Sequence, residues 1–347
     1  MSFGPVSIEE FAAHHGVSVE SIRNKVTSGS NLDDSSNEFE TFDFAEEACL
    51  KGHQGTVQVI RFTPNGNYLF SGGRDRTVRL WNPRTGLLVK TYTGHGYDIR
   101  GVCSSADDSR FASCGGDRQI FYWDVTSGSF LRKFRGHDAV VNAVSFLGPT
   151  DDVIVSAGYD NCVKIWDCRS RSVDPIQVIK GFKDSVSSLA CLGHVIVAGS
   201  VDGTLRRFDA RAGSASMDTL GLPVTSVALT RDGACVLAAC VGSVLALLDV
   251  GSGQLLSTFR GHVQEEIRMD CGLLPSDTHA VGCSEDGHVL LWDLLGKEGT
   301  APVCRFQAHK DTPVTAMHVA PHTASSLATA TIDGTVKIWN GSRRCSR

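Results

Sequence analysis

No apolar run in this 347-residue chain approaches the ~20 residues that a membrane-spanning helix needs. The N-terminal MSFGPVSIEEF lacks the charged-then-apolar layout of a secretory signal. No CxxC pair occurs among the 12 cysteines, which excludes zinc-finger and thioredoxin-like spacings. Most of the thiols sit in apolar segments, such as Cys191 in SSLACLG and Cys240 in LAACVG, and read as buried small hydrophobes. So many unpaired thiols fit a reducing compartment. Positive charge is not in surplus: 33 Lys and Arg face 38 Asp and Glu, for a net charge of −5. A strongly basic, phosphate-binding face is therefore not the default expectation. No P-loop, nucleophile elbow or metal-ligand cluster appears, and GKEGT at 296–300 lacks the leading Gly and the spacing of a phosphate loop. The expectation is a soluble intracellular chain that is not an enzyme and has no cofactor, metal, membrane or small-molecule substrate.

What the sequence does contain is glycine, 36 residues against 10 prolines, and a long period. A Trp followed by Asp or Asn recurs at Trp81, Trp123, Trp166, Trp292 and Trp339, with degenerate copies at Phe208-Asp209 and Leu248-Asp249. The intervals are 42, 43, 42, 40, 44 and 47 residues. Ahead of each stands Gly52-His53, Gly94-His95, Gly136-His137, Gly181-Phe182, Gly221-Leu222, Gly261-His262 or Ala308-His309. An Asp lies six residues before the aromatic in six copies, in Gly-rich turns that join alternating strands such as YLFSGG and TVRLWN.

A period of about 40–45 residues with Gly-His and Trp-Asp marks is the signature of WD repeats, four strands to a propeller blade. The expected fold is all-β, a seven-bladed WD40 β-propeller over residues 46–340. WD-repeat proteins carry a buried His, Ser/Thr, Asp and Trp tetrad, and matching by position assigns four here. They are His53, Ser71, Asp75 and Trp81; His95, Ser113, Asp117 and Trp123; His137, Ser156, Asp160 and Trp166; and His309, Thr329, Asp333 and Trp339. Each buried polar group of such a set needs a partner. Because the His–Asp pairing recurs from blade to blade, it reads as structural and not as a general base. Blade six lacks the hydroxyl (Gly282), blade four lacks His and Trp, and blade five lacks all four, with Gly242 at the Asp position. Blades four and five should rest on apolar packing and be softer.

Blade seven runs out of sequence before an outer strand, whereas EEACLKGH ahead of the first Gly-His occupies an outer-strand position. A strand near 46–51 should close the ring and remove exposed edges. Residues 1–45 read as an extension. Ile8, Phe11 and Ala12, then Val19, Ile22 and Val26, have helical spacing, with Ser7 and Glu10 as a capping box and Ser18 as a second start. The pair superficially resembles part of a helix-turn-helix, but its acidic flank is wrong for DNA. Residues 26–50 hold seven acids and no Lys or Arg and read as a flexible acidic linker. Residues 341–347 read as a basic tail.

The segments GNYLFSGGRDRTVRLWNP (66–83), TYTGHGYDIR (91–100), RKFRGH (132–137), IWDCRSR (165–171), AGSVDGTLRRFD (198–209) and DTHAVGCSEDGHVLLWDL (277–294) resemble, in order, the mitogen-activated protein kinase organizer family, also called WD repeat-containing protein 83. The resemblance implies a non-catalytic scaffold. It would hold kinase components of the extracellular-signal-regulated cascade in the cytoplasm, and spliceosomal proteins in the nucleus.

The exposed positions of such a repeat flank the first inward-facing residue of the inner strand and precede the turn Asp. They map to Thr56, Gln58 and Arg74; Asp98 and Arg100; Val140, Asn142 and Tyr159; and Glu266, Arg268 and Glu285. Arg74, Asp98, Arg100, Asn142, Tyr159, Arg268 and Glu285 form the candidate protein-binding face, because exposed Arg and Tyr are favoured anchors. A second cluster, Arg169, Arg171, Arg206, Arg207 and Arg211, could meet acidic peptides or RNA. It supports the alternative of an RNA-contacting component of a splicing ribonucleoprotein.

Overall fold

The computed structural model describes residues 40–294, 301–323 and 326–345. Among them the strands form seven four-stranded antiparallel sheets and no helix. Blade one shows the plan. Val57–Phe62 is innermost, Leu69–Gly73 and Thr77–Trp81 follow, and Leu88–Thr93 is the outer edge. The second strand is buried throughout and the outer strand is largely exposed. The innermost strands of successive blades are neighbours, and that of blade seven, Val314–Val319, lies beside that of blade one. The chain is a closed seven-bladed propeller.

Its core is not one mass but seven layers, each shared by two neighbouring blades. Between blades one and two, Phe70, Tyr92, Phe111, Phe121 and Trp123 are all buried. There Phe70 and Tyr92 each lie 4.7 Å from Phe111, which stacks on Trp123. Such pairs contribute about 0.5–1.5 kcal/mol beyond area burial. The buried layer between blades four and five, which includes Leu205, Val224, Val236, Ala238 and Leu248, has no aromatic ring.

Closure comes from Glu40–Leu50, which pairs antiparallel with Val336–Cys345, from Leu50 opposite Val336 to Glu40 opposite Cys345. This strand starts before the expected 46–51. Residues 40–45 are therefore strand and not linker, and 341–345 are strand and not a free tail. Charge count hid an alternating pattern: Phe42 and Phe44 share one face. Phe42 packs edge-on to His279 at 4.9 Å and Phe44 stacks on Phe306 at 4.6 Å. Lys337 ties the seam to Glu46 at 2.7 Å. The two expected helices at 8–26 lie outside the described residues.

One element repeats without any mark in the sequence period. In six blades the inner strand carries a β-bulge near its start, between Val57 and Val59, Ile99 and Gly101, Val141 and Ala143, Val186 and Ser188, Val224 and Ser226, and Val314 and Ala316. Bulges re-aim a side chain. Four bulge residues reach the main chain of the next blade: Asn142 donates to Val186 O (3.0 Å), Ser187 to Val224 O (2.6 Å), Thr225 to Met269 O (3.3 Å) and Thr315 to Val57 O (2.6 Å). A polar belt thus joins blades around the axis. Opposite the bulge of blades two and three the main chain comes close to a glycine. A Cβ at Gly115 would lie 2.0 Å from Asp98 O, and at Gly158 it would lie 2.4 Å from Val140 O.

Candidate functional site

The polar tetrads come first, because they decide which side chains are free for function. In blade one, His53 Nδ1 meets Asp75 at 2.9 Å and Nε2 meets Ser71 Oγ at 2.7 Å, while Trp81 Nε1 donates to the same hydroxyl at 2.8 Å. Blade two repeats this with His95, Asp117, Ser113 and Trp123. Blade three does so with His137, Asp160, Ser156 and Trp166. With Nδ1 donating to the carboxylate and Nε2 paired with the Ser hydroxyl, every buried polar atom of the set has a partner. Lys164 adds an ion pair to Asp160 at 2.9 Å. Burial pushes Asp75 up, but the hydrogen bond and charge of His53, aided by Thr77, outweigh it and hold the carboxyl at about 2.

The assigned tetrad of blade seven is incomplete. His309 and Trp339 share Thr329 Oγ1 at 2.8 and 2.9 Å, but no hydrogen bond joins His309 to Asp333. The Thr331 hydroxyl, two residues away, takes the carboxylate instead. Burial and Lys337 push His309 down to about 4. In blade six Trp292 Nε1 turns to Arg260 O at 3.0 Å, and both buried ring nitrogens of His262 have no hydrogen-bond partner. In blade four Phe182 and Phe208 stand where His and Trp would be, and Arg206 lies over Phe182 at 4.4 Å.

The same hydrogen bonds orient one face. Asp117 and Asp160 accept the main-chain N–H of Gly96 (3.1 Å) and Asp138 (3.2 Å), the residues just after the tetrad His. This binds the inter-blade loop to the turn between strands, so both flank the channel mouth. Asp98, Arg100, Asn142, Tyr159 and Arg268 come together there. Arg100 Nε donates to Asp98 at 2.9 Å and Nη1 to Asn142 Oδ1 at 3.3 Å, and the guanidinium lies 5.7 Å from the Tyr159 ring centroid. Arg268 reaches across the channel from blade six to Asn142 O at 3.4 Å. Arg74 lines an adjoining concavity with Thr56, Gln58 and Asp98.

Two expected contact residues are committed to the fold. Asn142 is only 4% exposed and spends its amide on Val186. Glu285 Oε1 accepts the N–H groups of Glu265, Glu266 and Ile267, each at 2.8 Å, and so organises the loop before the blade-six inner strand. Other residues were missed. Tyr97 is 64% exposed beside Asp98, and Val201 and Ile332 are also exposed. Val201 and Ile332 directly precede Asp202 and Asp333, the position that gave Arg74 and Tyr159, so the same rule extended to every blade finds them.

Three members of the second arginine cluster are engaged within the fold. Arg206 donates to Gly181 O at 2.7 Å, Arg207 to Val250 O of the next blade, and Arg169 faces Asp167 and Asp152 at 3.5 and 3.9 Å.

Seven four-stranded blades, three of them with complete tetrads, define a WD-repeat propeller, a fold that typically serves as a non-catalytic interaction scaffold. The family model described as "WD domain, G-beta repeat" matches residues 45–82, 86–124, 128–167, 173–209, 253–293 and 300–340. Blade five falls in the gap. Proteins called WD repeat domain-containing protein 83 are similar to this chain along most of its length. That of Rattus norvegicus is 44% identical over 242 residues, covering 70% of this chain and 76% of the relative. That of Xenopus tropicalis is 40% identical over 292 residues, covering 84% and 91%. A Dictyostelium discoideum homologue is 26% identical over 322 residues, covering 84% and 97%. The chain belongs to the WD repeat domain-containing protein 83 family.

Proposed function

We propose that this scaffold gathers protein components of a mitogen-activated protein kinase cascade and of the splicing machinery, in the cytoplasm and the nucleus, at the channel-mouth face of blades one to three. The supporting observation is the convergence there of Arg100, Tyr159 and Arg268, flanked by exposed Tyr97 and Arg74. Tyr and Arg are the side chains that most often dominate interface energies. Tyr159 is 54% exposed yet held under Arg100, so little conformational freedom is lost when a partner covers it. Mixed charge at the mouth suits a protein partner more than a nucleic-acid backbone. Arg169, Arg206 and Arg207 are engaged by carboxylate or main-chain oxygens, which weakens the support for direct RNA contact.

The test is affinity purification with mass spectrometry of the full chain beside an Arg100→Glu, Tyr159→Ala variant. Kinase-module and spliceosomal proteins should be retained by the first and depleted at least tenfold with the second. Equal retention by both places binding elsewhere, and recovery of neither class overturns the biological reading. A deletion probing the N-terminal extension must stop at residue 39, because Glu40–Leu50 closes the ring.

A further inference from the structure

The inner strands enclose a cavity of about 390 Å³ that shares Arg100, Asn142 and Arg268 with the mouth. Arg61 of blade one, Arg100 of blade two and Arg268 of blade six all line it, against a single carboxylate, Asp270. Arg61 Nη1 lies 3.4 Å from Asp270. Arg100 is paired at the mouth with Asp98. Arg268 has no carboxylate within ion-pair distance among the described residues, and its one hydrogen bond goes to a main-chain oxygen. Each guanidinium offers five N–H donors, so most donors of the three have no protein acceptor. Ser188 lines the same cavity, and its hydroxyl is buried without a hydrogen-bond partner. His318, another lining residue, adds no charge near neutral pH, because burial and Arg61 push it down to about 3. Burial and the neighbouring Arg61 and Arg100 also lower Arg268, the mark of like charges held together out of water.

We propose that this cavity is a phosphate-binding site, taking a phosphate group through Arg61, Arg100 and Arg268. The donor geometry favours phosphate over a lone carboxylate. Guanidinium groups on three separate blades converge on one space, and planar forks suit the several oxygens of a phosphate. Arg61 and Arg100 each share a carboxylate, so the positive charge left over is that of Arg268. A cleft lined by one sign of charge between low-dielectric walls concentrates its counter-ion. The phosphate can belong to a free polyphosphorylated solute or to a phosphorylated side chain inserted from the mouth. The site does not depend on the protein-binding reading, and its test needs no partner.

Calorimetric titration of the full chain at low salt with inositol hexakisphosphate, and separately with a short phosphoserine peptide and its unphosphorylated form, is the experiment. Saturable binding of either phosphorylated probe is expected, weakened at least tenfold by Arg268→Gln and by Arg61→Gln. Arg84→Gln, in an exposed turn outside the cavity, should leave it unchanged. Binding of inositol hexakisphosphate alone assigns a free solute, and binding of the phosphopeptide but not its unphosphorylated form assigns a phosphoprotein. Because Arg268→Gln relieves like-charge repulsion, it should melt no lower than the unaltered chain without ligand. Arg61→Gln supplies the binding comparison if Arg268→Gln does not fold. No binding of either phosphorylated probe, or equal binding by the Arg268, Arg61 and Arg84 variants, overturns the proposal.

Discussion

In blade three a single hydroxyl, Ser156 Oγ, meets His137 at 2.7 Å and Trp166 at 2.8 Å, while Asp160 holds the other side of the imidazole and an ammonium besides. In blade five the corresponding positions are Leu222, Ala238, Gly242 and Leu248, and the layer it shares with blade four has no aromatic ring. Both blades have the same four strands and the same bulge. The strand plan therefore does not need the tetrad. In blades one to three the Asp of the tetrad fastens the inter-blade loop to the turn on the mouth face. Asp202 makes the same bond to the Lys183 N–H in blade four, so what the full tetrad adds is the buried His–Ser–Trp chain behind it. Of the proposed contact residues, Arg74, Tyr97, Arg100 and Tyr159 sit on blades with complete tetrads, and Arg268 sits on blade six, which lacks one.

That contrast can be broken by mutation, and the largest effect should come from the charged member. Asp160→Ala leaves Lys164 and His137 without their buried counter-charge and should cost about 3–5 kcal/mol. Asp202→Ala in blade four, which removes bonds to the Lys183 N–H and to Thr204, should cost only about 1 kcal/mol. Urea unfolding midpoints compare the two directly, and equal losses would remove the distinction between the arcs. Next in size is Ser156→Ala, expected to cost about 1–3 kcal/mol by stranding an indole N–H and an imidazole nitrogen in the core. Ala198→Ser, the reciprocal change in blade four, should give no gain, because Phe182 and Phe208 offer the new hydroxyl nothing to bond.

Smaller and spread over the weaker blades is a pH effect. His262 and His309 are both held at about 4, against 6.5 for an ordinary histidine, chiefly by burial. The unfolded chain therefore binds more protons than the folded one between 6.5 and 4. Their contribution to stability is complete above 6.5 and is lost as pH falls through 4. Thermal midpoints measured from pH 7 to 4.5 should decline, and His262→Phe should flatten the decline. An unchanged slope in that variant would show that His262 finds a partner after all.

The tetrads were legible because each rests on four residue identities at fixed spacing, and three of the four assigned have the expected bonds. The fourth failed at Asp333 for a reason spacing does not carry: a neighbouring hydroxyl, Thr331, competes for the carboxylate. Val201 and Ile332 were legible by a rule already in hand. The inter-blade belt was not, because a bulge inserts a residue without altering the repeat period. Charge composition misled at Phe42 and Phe44, which lie within an acidic stretch. There the strand period, which sets the face each side chain takes, outweighed the local count of charges.

The most direct measurement is native-state hydrogen exchange, resolved strand by strand along the full chain. Second-strand amides are equally buried and equally paired in blades three and five, at Val153–Gly158 and Cys235–Cys240. Burial and strand pairing alone therefore predict equal protection. The account predicts slower exchange in blades one to three, with blades four and five opening by a separate, lower-energy fluctuation. Equal protection around the whole ring would contradict it.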